Sequence, residues 1–351
     1  MMFLRAAAVP SLFLFALSML SCSSNVYRDV YPTLLDGRYD TEFPYRGCSK
    51  QLEEISEAVK MISTVAYYRT YTFSEKDHFR LSDITRALLE ARAGESVFVN
   101  KSMSGSATIL SYRNRCVLLM TCAHVVAFAD TLVSYYTGAD RHPTNIVRSF
   151  ALKERQMNFV GLLPEGGELE ILAIDKSADI ALLGKRLAAE PALPIPVFRY
   201  PFGKAKELEW GSFVYLFGYP SGYRIVTKGI VSSPNRDRRG SFLIDAVFGG
   251  GFSGGIALAV RDGVPNFELV GMVKMVSARS SFVLTPPVEN GVVEYDATVP
   301  YVGDVYVAKH TDIDYGVTQA TSVERLLEFF EEHRSEVQAK GYSLNVAERP
   351  E

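Results

Sequence analysis

The chain has 351 residues, a formal net charge of −3, 48% hydrophobic residues, 19 Tyr, 21 Phe and 4 Cys. The near-even charge balance argues against a general electrostatic attraction to nucleic acid, and no cysteine–histidine spacing resembles a zinc site. The length allows a sizeable core, and the apolar and aromatic share suits a β-rich protein.

In chain order, Met1 to Arg5 carries one positive charge and residues 6–20 are apolar, interrupted by Pro10. Their length and flanks read as a secretory signal over 1–21 rather than a spanning helix. Met19-Leu20-Ser21-Cys22, followed by Ser23-Ser24, resembles a bacterial lipoprotein cleavage site, although Leu20 stands where that signal usually has a small residue. The resemblance implies lipidation of Cys22 and a place in the bacterial cell envelope, facing the periplasm or the cell surface. An ordinary cleaved signal is the alternative.

Residues 22–57 read as a tether, with Pro32, Gly37, Pro44 and Gly47, passing into a short helix. Leu52, Ile55, Val59 and Ile62 have helical spacing. The Thr- and Tyr-rich residues 62–73 read as a first strand. Ser82-Asp83-Ile84 opens a short helix that Gly94 stops. Residues 117–126, Val-Leu-Leu-Met-Thr-Cys-Ala-His-Val-Val, read as a buried strand ending at His124. On one strand, at about 3.3 Å per residue, Cys116 and Cys122 stand roughly 20 Å apart, beyond the ~7 Å that a disulfide tolerates.

Asp175 and Asp179 both precede the apolar run Ile180-Ala181-Leu182-Leu183. Residues 191–204 hold Pro191, Pro194, Pro196 and Pro201 and read as a linker. Residues 249–255, Gly-Gly-Gly-Phe-Ser-Gly-Gly, surround Ser253 with a backbone that can turn tightly and aim N–H groups at a developing oxyanion. After it, Ile256 to Val260, a turn at 261–265 and Leu269 to Val273 read as strand, turn, strand. Thr321-x-x-Glu324 reads as a capping box for an amphipathic helix that Gly341 stops.

Four local patterns, in order, carry a family resemblance. They are Gly105-Ser106-Ala107-Thr108-Ile109-Leu110, Thr121-Cys122-Ala123-His124-Val125-Val126, Asp175 to Leu183, and Phe217-Gly218-Tyr219-Pro220-Ser221-Gly222 with Thr227 to Ser232, leading to the serine loop. Together they resemble the chymotrypsin/trypsin-like serine protease superfamily, nearest to the bacterial high-temperature-requirement (HtrA-type) proteases. The resemblance covers roughly 104–330 and leaves no room for the PDZ domain those enzymes usually carry. It implies an all-β fold of two packed antiparallel barrels, over 58–190 and 205–320, joined by the 191–204 linker and followed by a helix over 321–340. Tyr315-Gly316-Val317 resembles the last barrel strand.

The implied function is serine endopeptidase chemistry through an acyl-enzyme. Ser253 is the nucleophile, His124 the base, and Asp179, rather than Asp175, the residue that orients the base. The backbone N–H groups of Gly251 and Ser253 form the oxyanion hole. By family position Val247 lines the specificity pocket, implying an apolar preference, whereas Lys274 would favour an acidic residue. No cofactor or metal is expected. The partners are a protein or peptide substrate and, through the lipid, a membrane.

One departure stands out: Phe252 replaces the Asp or Asn usual before the serine, so the loop has no carboxylate to pair with a freed N-terminus. That substitution motivates a rival reading, a catalytically inactive protease-like lipoprotein acting as a binding module. A third reading takes Gly251-Phe252-Ser253-Gly254-Gly255 as the G-x-S-x-G elbow of an α/β-hydrolase esterase, with Asp296, Asp304, His310 and His333 as downstream partners. That elbow requires a long helix after the serine, where this sequence reads as strand.

Overall fold

A computed structural model describes residues 35–44, 46–138, 143–246, 249–285, 298–300, 302–303 and 305–344. The signal segment, Cys22, Val247 and Asp296 therefore lie outside the described residues, as does Asp304.

Helix α1 (Ser49–Ala58) buries Ile55 and Ala58 and ends where Val59 turns extended. The helical spacing through Ile62 is overridden there. Val59 and Ile62 are β-branched and pair with Thr108 and Gly105, and Ile62 also pairs with Val160, so the ladder wins over local periodicity. The resulting strand β1 (Val59–Thr72) is followed by the short helix α2 (Arg86–Ala91), whose N-terminus is capped by the Thr85 hydroxyl. Strands β2 (Val97–Arg113), β3 (Cys116–Thr121), β4 (Thr131–Thr137), β5 (Pro143–Val160), β6 (Glu168–Asp175) and β7 (Ile180–Arg186) complete the first sheet, in the order β1-β2-β3-β7-β6-β5-β4. Pairing of β1 with β5 closes six of these strands into a barrel, with β4 outside on β5. All six residues of β3 are buried, which explains its unbroken apolar run. A single helical turn, α3 (Ala123–Val126), follows β3.

The second barrel is made of β8 (Phe213–Gly218), β9 (Ile225–Ser233), β10 (Phe242–Asp245), β11 (Ile256–Val260), β12 (Phe267–Thr285) and β13 (Tyr306–Ser322). It closes in the order β10-β13-β12-β11-β8-β9, and all its pairings are antiparallel. The fold is thus all-β, two closed six-stranded barrels followed by the C-terminal helix α4 (Val323–Ala339). The N-cap of α4 is Ser322, whose hydroxyl accepts the Arg325 N–H, rather than Thr321. Glu324, read from sequence as the other half of a capping box, instead accepts the Lys206 N–H at 3.0 Å.

Both ends of the described chain fasten the barrels. Residues 39–40 lie on the second barrel: Asp40 donates its N–H to Val260 O at 2.9 Å, and its carbonyl accepts the N–H of Phe213 at 2.8 Å. Tyr39 stacks under Arg261, 3.9 Å from guanidinium to ring centroid, and donates its hydroxyl to Glu268 at 2.7 Å. Arg261 also pairs with Glu207 at 2.8 Å. Helix α4 buries Leu326, Phe329, Phe330 and Val337 completely, each worth about 1.5–3 kcal/mol relative to exposure. Its Arg325 pairs with Asp175 on the first barrel. Cys48, Cys116 and Cys122 are free thiols, all buried.

Candidate active site

The His124 half of the site is built where β3 ends. Cys122 is extended, and the single turn α3 then lifts His124 out of the buried run with its side chain 39% exposed. Opposite it, the turn between β6 and β7 ends at Asp179, which is buried and adopts a left-handed φ of +61°. That conformation is uncommon outside glycine, though Asp tolerates it better than most. Asp179 Oδ1 accepts the backbone N–H of His124 at 2.8 Å, and Oδ2 lies 2.7 Å from His124 Nδ1. An ionised carboxylate only accepts, so the proton lies on Nδ1 and the lone pair on Nε2.

The rival Asp175 is committed elsewhere. Its Oδ1 accepts the Ser177 N–H and hydroxyl, both at 2.8 Å, and the Ala178 N–H at 3.0 Å, while Oδ2 pairs with Arg325. Burial alone would raise its pKa, but the Ala178 and Ser177 donors and the Arg325 charge outweigh it and hold the carboxyl at about 2. Asp175 therefore shapes the turn that presents Asp179.

The serine half comes from the loop before β11. Ser253 is joined to the first barrel through its own carbonyl, which accepts the Ser106 N–H at 2.7 Å. Gly105 faces that carbonyl closely: a Cβ there would sit 2.8 Å from it. The Ser253 hydroxyl donates to Lys274 O at 3.1 Å, so in this structure it is hydrogen-bonded to β12 rather than to His124. Residues 249–252 form a turn closed by Phe252 N–H to Gly249 O at 3.2 Å, with Gly251 at φ +111°. A positive φ at the third position is the mark of a type II turn. Among the described residues, no backbone hydrogen bond takes up the N–H of Gly251 or of Ser253.

Phe252 is buried at 3% exposure and belongs to the main core. Its ring lies over Gly218, where a Cβ would come within 2.5 Å of Cδ1. Beneath His124, the Cys122 thiol donates to Val273 O at 3.3 Å. Burial, and then the Asp179 charge, push its pKa well up, so it stays a thiol. Cys122 Sγ, His124 and Asp179 offer ligand atoms within 4.8 Å of one another. A metal there would have to displace both the thiol proton and the His124–Asp179 bond.

Of the residues singled out in the sequence, His124 and Asp179 meet directly, and Ser253, Gly251 and Lys274 gather on the other side of the same inter-barrel seam. Of the downstream residues in the esterase reading, Asp296 and Asp304 lie outside the described residues. His310 lies on β13, and His333 on α4 places its Nδ1 3.0 Å from Phe329 O. Ser253 leads into the strand β11 rather than a helix, so the α/β-hydrolase fold is excluded. Ser106, Gly218 and Ser221 belong to the sequence patterns without a role of their own, yet they surround the serine loop. A serine set between Gly105 and Ala107 in a strand-like run was the available signal at Ser106.

Two closed antiparallel barrels, with a His–Asp pair on the first and a glycine-rich serine loop from the second at their seam, define the chymotrypsin/trypsin-like class. Residues 105–272 match the family model of the trypsin-like peptidase domain. That match and the double-barrel fold together support a protease of the trypsin-like family. No curated protein matches the chain.

Proposed function

We propose that this protein is a serine endopeptidase of the cell envelope, acting through Ser253, His124 and Asp179. The observation that carries the reading is the two-point grip on the histidine: one carboxylate holds both the backbone N–H and Nδ1 of His124. That arrangement fixes ring orientation and tautomer, leaving Nε2 as the base.

For reaction, the Ser253 hydroxyl swings from Lys274 O to Nε2, gives up its proton and attacks the scissile carbonyl. The oxyanion is met by the N–H groups of Gly251 and Ser253. His124, now protonated and facing Asp179, passes the proton to the leaving amine, and water then releases the acyl group by the same route. No cofactor or metal enters this scheme. The specificity determinants are Val247 and Lys274, the latter half-buried beside the serine.

Labelling with a fluorophosphonate probe tests the reading. Wild-type protein should be labelled and hydrolyse fluorescein-casein, and Ser253→Ala should lose both. The binding-module alternative has one observation in its favour, the bond from Ser253 to Lys274 O. Absence of Ser253-dependent labelling would establish that alternative.

The envelope location rests on residues 1–21 as a signal and Cys22 as the lipidated first residue of the mature protein. Among the described residues, no helix is long and apolar enough to cross a membrane. Mass spectrometry of the mature N-terminus should show modified Cys22; an unmodified start elsewhere would defeat the anchor.

A further inference from the structure

The loop that presents Gly251 is fixed from two sides by groups that belong to neither the His–Asp pair nor the nucleophile. On one side, Gly250 O accepts the N–H of Ser221 at 2.9 Å. In a planar trans peptide, C=O and N–H point in opposite directions, so this bond turns the Gly251 N–H away from Ser221. On the other side, Gly251 O accepts the hydroxyl of Ser106 at 2.7 Å. That hydroxyl in turn accepts the Tyr219 N–H at 2.9 Å. Both peptides flanking Gly251 are therefore pinned, and Ser106 ties the serine loop to the 217–222 segment.

Ser106 is fully buried and saturated. Besides these two bonds, its N–H donates to Ser253 O at 2.7 Å and its carbonyl accepts the Thr121 hydroxyl at 2.7 Å. Its one hydroxyl proton has a single use, the Gly251 carbonyl. The family's usual polar side chain before the serine is absent here, and Phe252 points into the core instead. Gly218 makes room for that ring and lies beside the same hydroxyl: a Cβ on it would come within 2.5 Å of Phe252 Cδ1 and 3.0 Å of Ser106 Oγ.

We infer that Ser106 is a positioning residue: its hydroxyl holds the Gly251–Phe252 peptide while the Ser221 N–H holds the Gly250–Gly251 peptide, and the two together fix Gly251 in the conformation that aims its N–H at the oxyanion. Ser106 touches no reacting atom and acts through Gly251. The inference rests on the serine peptidase reading above. Removing the hydroxyl leaves the Gly251 carbonyl and the Tyr219 N–H without that partner and frees the Gly251–Phe252 peptide, so that Gly251 is held from one side only. The loss should fall on the transition state and spare substrate binding.

The test compares wild type, Ser106→Ala, Ser106→Thr and Gly218→Ala for fluorophosphonate labelling, melting temperature, and kcat and KM on fluorescein-casein per labelled site. Ser106→Ala should fold and lower kcat by about 10- to 100-fold, short of the 10²–10³ typical of losing an oxyanion donor outright. KM should stay within about twofold. Ser106→Thr keeps the hydroxyl and should recover most of the loss. Gly218→Ala, which crowds Phe252 and Ser106 together, should share the kcat defect.

Folded, labelled Ser106→Ala with wild-type kcat would overturn the inference. So would loss of fold in both Ser106→Ala and Gly218→Ala, which would make the hydroxyl a structural staple. Wild type that is neither labelled nor active would sink the peptidase reading itself, and the positioning role with it.

Discussion

The two halves of the candidate site are organised by different means. On the first barrel a side-chain charge does the organising: Asp179 grips His124 at both its backbone and its ring. On the second barrel the organisation is carried by backbone: a type II turn, a glycine at φ +111°, and carbonyls held by Ser106 and Ser221. The first arrangement tolerates any backbone that brings carboxylate and imidazole together, but it is lost with one atom of the carboxylate. The second contains no charge to lose, yet it depends on peptide orientation, so its vulnerable points are the absence of a Cβ and the hydrogen bonds to main-chain oxygen.

The largest effect should come from the charged half. Asp179→Asn can present its amide to Nδ1 and force the wrong tautomer, and it should lower kcat by about 10⁴ while the fold survives. Asp175→Asn should instead leave kcat within about threefold and lower stability by roughly 1–3 kcal/mol, since Arg325 loses its partner on the first barrel. The Asp175 carboxyl is held at about 2, below its unfolded value, so its contribution is present above the ordinary carboxylate range and is lost as pH falls toward 2. Thermal unfolding and steady-state kinetics on both variants decide the matter. A severe kinetic defect in Asp175→Asn with a mild one in Asp179→Asn would reverse the assignment.

The backbone half should break at Gly251→Val. A Cβ there would collide with Tyr219 O and come within 3.2 Å of Pro220 Cα, and a β-branched residue resists φ +111°. Turnover should fall by about 10²–10³, with circular dichroism unchanged. Wild-type turnover in this variant would mean that the Gly251 N–H is not an oxyanion donor.

The smallest effect lies away from both halves, in the segment that straps residues 39–40 to the second barrel. Burial pushes the Asp40 carboxyl up to about 6, with Glu42, Asp262 and Asp36 adding to the rise against the lowering effect of the Gly263 N–H. The native state therefore holds that proton more firmly than the unfolded chain does. The stability it brings is full at low pH and fades as pH rises through about 6. Asp40→Asn should melt slightly above wild type at pH 7.5, and that advantage should shrink at pH 5. A difference that does not change with pH would refute this account of Asp40.

Much of this organisation was legible in the chain because its parts are contiguous. The apolar run into His124, the run out of Asp179 and the glycines around Ser253 each announce themselves within ten residues, and their order brought the double-barrel fold with them. What was not legible depends on distant groups meeting. Ser106, Tyr219 and Gly251 are brought together only by the packing of the two barrels. The end of α1 at Ala58 was hidden because Val59 and Ile62 fit a helical stripe as well as a ladder, and only their pairing with β2 and β5 decides. Asp175 and Asp179 look alike in sequence. Arg325, 150 residues away, claims the first and leaves the second for His124.

The crossed fastening of the barrels bears on how the molecule is made. Residues 39–40 hydrogen-bond to strands that emerge from the ribosome much later, and α4 follows the second barrel yet closes on Asp175 of the first. The strands of each barrel suffice to close it, but Asp175 on the first waits for Arg325 of α4. Such long-range contacts slow folding and leave apolar surface uncovered in the meantime. Once closed, the same interlock means that the barrels should come apart together, so the seam holding His124 and Ser253 opens only at the cost of the whole fold.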